Sequence, residues 1–253
     1  MGVHSPSQFL EFETITNCPG CGSDRIRTVV EPDIGQCAGC ALHFRNPRPT
    51  QAEIARSYDT GDTFEAWQEQ EVSRAAMWQR RLEVVRRYCP GGKLLDVGTG
   101  DGRFLAAARD AGYIVAGTEV SESGARFARD RGLEVYMGQI TDVALPDQSF
   151  DVVTLWHVLE HVPDPGALLR RVRSCLRPRG TLVVAVPNEE NFFLRRRFGL
   201  AKGSPFDPLI FGGEIHLTYF RPATLLSTLR AAELKFCISA STTPITSGIG
   251  RCI

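Results

Sequence analysis

A chain of 253 residues, 43% apolar and 23% charged, has room for one α/β domain and a small appended unit, which excludes a disordered or fibrous polypeptide. Its 29 Lys plus Arg balance 29 Asp plus Glu, so the zero net charge disfavours a protein that holds nucleic acid mainly by its phosphates. The sequence has neither an apolar run of about eighteen residues nor a basic, apolar leader. The expectation is a cytoplasmic protein with no membrane insertion and, in a reducing compartment, no disulfides.

Residues 1–17 are polar and aperiodic and read as a flexible leader. From Cys18 to Cys40 the chain is dense in Cys and Gly, with one strand expected around Arg25 to Val30, too little apolar material to fold without a staple. Cys18-Pro19-Gly20-Cys21 and Cys37-Ala38-Gly39-Cys40 form two C-x2-C pairs. Each such turn sets two sulfurs on one side of a tetrahedral Zn²⁺, so Cys18, Cys21, Cys37 and Cys40 are the expected ligands of a zinc ribbon over residues 18–45. A redox dithiol or buried free thiols account poorly for both pairs together. Four thiolates leave no open coordination position, so the metal's expected role is folding and not catalysis. Cys89, Cys175, Cys237 and Cys252 lack metal spacing.

Residues 46–92 read as a linker with helices that pack on the catalytic domain. Phe44 to Thr50 contains two prolines and favours an extended connector, and Thr50 with Glu53 makes a capping box for a short helix through Tyr58. Val72, Ala75, Ala76, Trp78, Leu82, Val85 and Tyr88 keep helical spacing within Phe64 to Tyr88, and Cys89-Pro90-Gly91-Gly92 ends that helix. Residues 93–253 alternate strands with helices. Strands are expected at Lys93 to Val97, Tyr113 to Glu119, Glu134 to Met137, Phe150 to Trp156 and Thr181 to Val186, and helices from about Asp101, Ser121, Pro165 and Pro222. Continuous apolar strands in this alternation predict a doubly wound, mostly parallel sheet buried on both faces. Two further pieces, Phe236 to Ala240 and Ile249 to Ile253, are expected to form an edge hairpin.

Asp96-Val97-Gly98-Thr99-Gly100-Asp101-Gly102 leads from a buried strand into a helix. Glycines let a ligand approach the backbone, and the helix start offers N–H groups to its oxygens. Glu119 ends the next strand about twenty positions on, where a carboxylate can accept both hydroxyls of a ribose. Alone, the loop is also what a tight strand-to-helix turn uses, and Glu119 could be a solvated loop residue. Taken together they favour an adenosine cofactor. Glycines at every second position do not fit the dinucleotide pattern G-x-G-x-x-G.

The stretch Leu94 to Phe104 resembles motif I of class I S-adenosylmethionine-dependent methyltransferases, and Glu119 sits at their ribose position. Ser149 to Val153 with His157-Val158-Leu159-Glu160-His161-Val162 resembles their fourth strand and the loop after it. Gly180 to Pro187 resembles the fifth strand, and Glu214 to Phe220 the region that closes over substrate. The cysteine pairs, followed by Phe44 to Thr50, are similar to a bacterial subgroup in which a zinc ribbon precedes this domain. The resemblance implies a Rossmann-like seven-stranded sheet, structural Zn²⁺, and S-adenosylmethionine held by Asp96, Gly98, Thr99, Gly100, Gly102, Glu119, Gln139, Ile140, Trp156 and His157. It also implies a small-molecule acceptor such as a sugar, glycan precursor or other metabolite, methylated at oxygen or carbon. Gln139 departs from the acidic residue often found near the adenine, and no acceptor-recognising extension is expected after the presumed seventh strand.

Methylating a hydroxyl or acidic carbon needs a proton acceptor. His157, directly after the fourth strand, and His216, after a Gly- and Pro-rich segment at 203–213, are the two candidate bases. Glu160-His161 reads as a pair that shapes the loop, and Arg195-Arg196-Arg197 as a solvated helix face or an anion holder. The competing readings are a zinc-ribbon RNA methyltransferase, a nicotinamide-dependent oxidoreductase and a non-catalytic zinc interaction module.

Overall fold

The computed structural model describes residues 11–30, 34–59, 71–190, 216–243 and 246–252. The start of the leader, the beginning of the helix expected from Phe64, the arginine run at 195–197 and the segment 203–213 lie outside the described residues. In chain order come β1 (Phe12–Glu13), β2 (Ile26–Val30), β3 (Ile34–Cys37), β4 (His43–Arg45), β5 (Arg48–Pro49), α1 (Gln51–Asp59) and α2 (Glu71–Tyr88). There follow β6 (Lys93–Val97), α3 (Arg103–Asp110), β7 (Ile114–Glu119), α4 (Glu122–Asp130), β8 (Val135–Met137) and β9 (Phe150–Trp156). The chain continues through α5 (Pro165–Cys175), β10 (Leu176–Ala185), β11 (Thr218–Tyr219), α6 (Pro222–Ala231), β12 (Phe236–Thr243) and β13 (Thr246–Cys252). Two compact units divide this chain, one of Met1–Ile54, His157–Leu169 and Ala185–Gly250, the other of Ala55–Trp156, Arg170–Val184 and Arg251–Ile253.

The first unit is organised by a four-stranded antiparallel sheet in the order β11-β4-β3-β2. Ile26 faces Cys37, and Phe44 faces Thr218. Ile34, Leu42 and Phe44 are fully buried and give this small sheet its apolar core. β1 pairs with β5, fixed by Arg48, which donates to the Glu13 carboxylate at 2.7 Å and to the Pro163 carbonyl at 2.7 Å. α1 begins as its capping residue requires, the Glu53 amide donating to Thr50 Oγ1 at 3.4 Å. α6 is entered through Pro222, with the Arg221 amide donating to Thr224 Oγ1 at 2.9 Å.

In the second unit β6 is central, pairing in parallel with β7 and β9, and β7 pairs in parallel with β8. In this unit the strand order is β10-β9-β6-β7-β8, and in the first unit β12 pairs with β13. Leu94, Leu95, Val152, Val153, Leu182, Val183 and Val184 are buried, as expected of strands covered on both faces. β10 starts at Leu176 and not at Thr181, and Arg177 near its start pairs with Asp151 of β9 at 2.7 Å. Among the described residues no helix is long and apolar enough to cross a membrane.

Candidate active site and cysteine cluster

In the second unit, β6 delivers Asp96 into a fully buried position, where it accepts a 2.6 Å hydrogen bond from Thr154 Oγ1. Burial pushes its carboxyl up to about 7, against the opposing pull of that hydroxyl. The loop beyond turns through Gly98, Gly100 and Gly102, whose φ angles of 68°, 56° and 77° lie in the left-handed region. The amides of Gly98 and Thr99 donate to the Thr118 carbonyl at 2.9 and 3.0 Å, fastening the loop to β7. Gly102 is also fixed by packing, since a Cβ there would lie 2.7 Å from both Ala128 Cβ and Leu133 Cδ1.

Glu119, at the end of β7, is buried and accepts three backbone bonds, from Gly100 at 2.6 Å, Val120 at 2.8 Å and Ser121 at 2.9 Å. Burial raises its carboxyl above the usual range, although these three amides favour the charged form. A carboxylate has about four acceptor positions, so Glu119 keeps about one for a ligand and spends another on shaping the glycine loop. Gln139 closes a turn after β8, its carbonyl accepting the amides of Asp142 and Val143, and Ile140 is buried beside it in sequence. Trp156 ends β9 and stands edge-on to Phe104 at 5.3 Å, with the Arg81 guanidinium 4.9 Å from its ring. Among the described residues Trp156 Nε1 is buried without a hydrogen-bond partner, and the Thr99 hydroxyl, with that of Thr154, favours the charged form of Asp96. Asp101, inside the loop, is buried and paired with Arg103 at 3.0 Å and Arg74 at 3.7 Å, a support no motif in the sequence signalled.

In the first unit the two candidate bases belong to one cluster. His157 has φ 59°, an uncommon and strained value for a side-chain-bearing residue, and its amide donates to the Ala185 carbonyl at 2.9 Å. Its Nδ1 lies 3.2 Å from Oε1 of Glu160, which is 1% exposed. His161 Nε2 is 3.9 Å from the same oxygen, and the His161 ring meets the His216 ring edge-on at 4.8 Å. Burial alone would raise Glu160, but the bond to His157 and the fields of His161, His157 and His216 hold its carboxyl below the usual range. Among the described residues Glu160 Oε2 has no hydrogen-bond partner. His216 is 8% exposed, whereas the His157 side chain is 29% exposed. The sequence paired Glu160 with His161 as loop-shaping residues, and the structure makes Glu160 the hub of the cluster. The signal was the three-residue spacing of His157 and Glu160, which folds both onto one side of a turn.

The same unit gathers the four cysteines, whose sulfurs all lie within 4.8 Å of one another. Cys18 and Cys40 are 3.6 Å apart, and Cys21 and Cys37 3.7 Å. The two turns repeat one geometry: the Gly22 amide donates to the Cys18 carbonyl at 2.8 Å, and the Ala41 amide to the Cys37 carbonyl at 2.9 Å, with φ 75° at Gly22 and 60° at Ala41. The amides of Gly39 and Cys40 also donate to Cys37 Sγ at 3.2 and 3.4 Å. A hydrogen bond from Cys18 draws the Cys40 thiol down to about 5, and that same bond raises Cys18, while burial pushes Cys21 up to about 11. Such a sulfur-lined pocket suits a soft divalent cation. Nearby, Glu189 is buried between His43 Nδ1 at 3.1 Å and Arg221 Nε at 2.6 Å, a pairing of distant residues that sequence reading missed.

The family profile described as a methyltransferase domain matches residues 66–238. A ubiquinone biosynthesis O-methyltransferase of Xanthomonas campestris pv. campestris is 33% identical over 167 residues, 61% of this chain and 68% of that protein. Among solved structures, a Burkholderia thailandensis 1,6-didemethyltoxoflavin-N1-methyltransferase superposes with a TM-score of 0.59 at 15% identity, covering 90% of this chain and 98% of that one. A chain from the complex of the Haloferax volcanii Trm112 methyltransferase activator with a methyltransferase has a TM-score of 0.56 at 23% identity, covering 72% of this chain and 78% of that one. At these identities the two structures speak for the fold.

Proposed function

Because the chain belongs to the methyltransferase-domain family and is an S-adenosylmethionine-dependent methyltransferase, we propose that it methylates a small-molecule acceptor at oxygen or carbon, with His157 as the base. The observation that carries this reading is the bond between His157 Nδ1 and the buried Glu160 carboxylate. With the Nδ1 proton directed to Glu160, the Nε2 lone pair is left to take a proton from the acceptor, and the carboxylate stabilises the imidazolium that results. His216 is the second candidate, more deeply buried and with a ring nitrogen within 4.8 Å of the Glu160 carboxylate. The O-methyltransferase activity of the Xanthomonas campestris relative supports a hydroxyl acceptor.

The residues proposed to hold the cofactor are Asp96, Gly98, Thr99, Gly100, Gly102, Glu119, Gln139, Ile140, Trp156 and His157. Their chemistry fits: among the described residues Trp156 Nε1 is a buried polar atom without a partner, and Glu119 keeps an acceptor position for a ribose hydroxyl. When bound, the cofactor supplies an activated methyl carbon, and the protein's task is to orient the acceptor and manage its proton.

The cysteine cluster fits tetrahedral Zn²⁺, because a metal–sulfur distance of about 2.3 Å requires sulfurs about 3.8 Å apart, close to the spacings found. Residues 18–45 are accordingly proposed as a zinc ribbon, 46–92 as a linker with supporting helices, and 93–253 as the methyltransferase domain. The acceptor class is tested by incubating the enzyme with methyl-labelled S-adenosylmethionine and a fractionated metabolite pool. Label in a hydroxyl- or carbon-methylated small molecule is the expected result, and label appearing only in RNA, when total RNA is supplied in a parallel incubation, would replace the reading.

A further inference from the structure

The ribbon's sheet has a consequence for the histidine cluster, because its fourth strand does not come from the N-terminal part of the chain. β11, residues Thr218 and Tyr219, lies two positions after His216 and pairs with β4. The Arg45 amide donates to the Leu217 carbonyl at 2.8 Å, and the Arg221 guanidinium donates to the Ala41 carbonyl at 2.7 Å. On its other side the same short segment grips the loop of the cluster: the amides of Leu217 and Thr218 donate to the Glu160 carbonyl at 2.8 and 3.1 Å, and Thr218 Oγ1 to the Leu159 carbonyl at 3.3 Å. Leu217, Thr218, Tyr219 and Phe44 are each no more than 4% exposed. Segment 217–219 is therefore a bridge with the cysteine-bearing sheet on one side and the backbone of Glu160 on the other.

We propose that the four-cysteine ribbon is a positioning module for the histidine cluster, holding His216 and the Glu160 loop in place through the β4–β11 pairing. β3 ends at Cys37, and β4 follows the second cysteine turn after two residues, so ligation at Cys37 and Cys40 sets the strand that β11 needs. A buried two-residue strand cannot keep its place by itself. Its backbone groups lose their partners when β4 loosens, and His216 and the Glu160 carbonyl lose their common anchor. This inference rests on the reading of the cysteines as a metal site.

Hydrogen exchange and histidine ring NMR on the full chain test it. In zinc-loaded protein the amides of 216–220 exchange slowly, and the ring nitrogens of His157, His161 and His216 show fixed tautomers. Removing zinc with a chelator is expected to speed exchange at 216–220 at least tenfold and to average those ring signals, while β7 stays protected. Arg45→Pro deletes the one amide that donates to Leu217. In zinc-replete buffer it should keep one zinc per chain yet show the same loss at 216–220. Protection and ring signals unchanged in zinc-loaded Arg45→Pro would overturn the proposal whatever chelation does. Absence of zinc from replete protein would instead remove the metal reading on which it rests.

Discussion

A carboxylate withdrawn from water is costly unless neighbours favour its charge, and Glu160 has three imidazoles to do so. If His157 is the base that this arrangement supports, His157→Ala should lower turnover about a hundred-fold, the usual worth of a positioned base, and leave cofactor affinity within a few-fold. Steady-state kinetics with the identified acceptor would show it. Near-normal turnover in His157→Ala with a large loss in His216→Ala transfers the role to His216. A second residue-scale expectation concerns Ala41, which occupies at φ 60° the turn position that Gly22 occupies in the first cysteine pair. A left-handed conformation costs a side-chain-bearing residue about 1 kcal/mol, so Ala41→Gly should raise stability by about 0.5 to 1 kcal/mol. Urea unfolding of the zinc-loaded protein would measure it, and a lower midpoint would contradict it.

At the scale of elements, the strand–loop–helix from Lys93 to Asp110 joins a pH dependence to a binding role. The Asp96 carboxyl, pushed up to about 7, keeps its proton in the folded chain at pH values where an unfolded aspartate has lost it. Its contribution is present below about pH 4 and is lost as pH rises through about 7, so stability should fall across that window and the fall should flatten in Asp96→Asn. Melting temperatures of the two proteins between pH 5 and 8 decide the matter. Glu119 both fastens Gly100 and is the proposed ribose acceptor, so Glu119→Ala should weaken S-adenosylmethionine binding by roughly 1.5 to 3 kcal/mol, and calorimetry showing unchanged affinity in a folded variant would remove the assignment. This element was legible in the sequence because its strand is continuously aliphatic and its glycines stand where φ turns positive. β7 and β9 were legible for the same reason. β11 was not, because two residues carry no periodicity and its partner strand lies far away in the chain. The pairing of His43 with Glu189 was equally hidden, since neither residue has a local motif.

For the whole molecule, metal content is the simplest expectation: about one zinc per chain by elemental analysis of reduced, metal-replete protein, with chelation unfolding the cysteine turns first. None under those conditions would refute it. The interleaving of the chain also bears on how the protein is made. Arg221 and Ala41, joined by a hydrogen bond, are 180 positions apart, and the fourth strand of the ribbon's sheet leaves the ribosome only with residues 218 and 219. At about 5 to 20 residues per second, that separation means roughly ten to forty seconds of synthesis during which three strands and four thiols await the last strand. Closing so long a loop is slow, so the nascent chain should depend on early metal capture to protect its cysteines until the C-terminal third arrives.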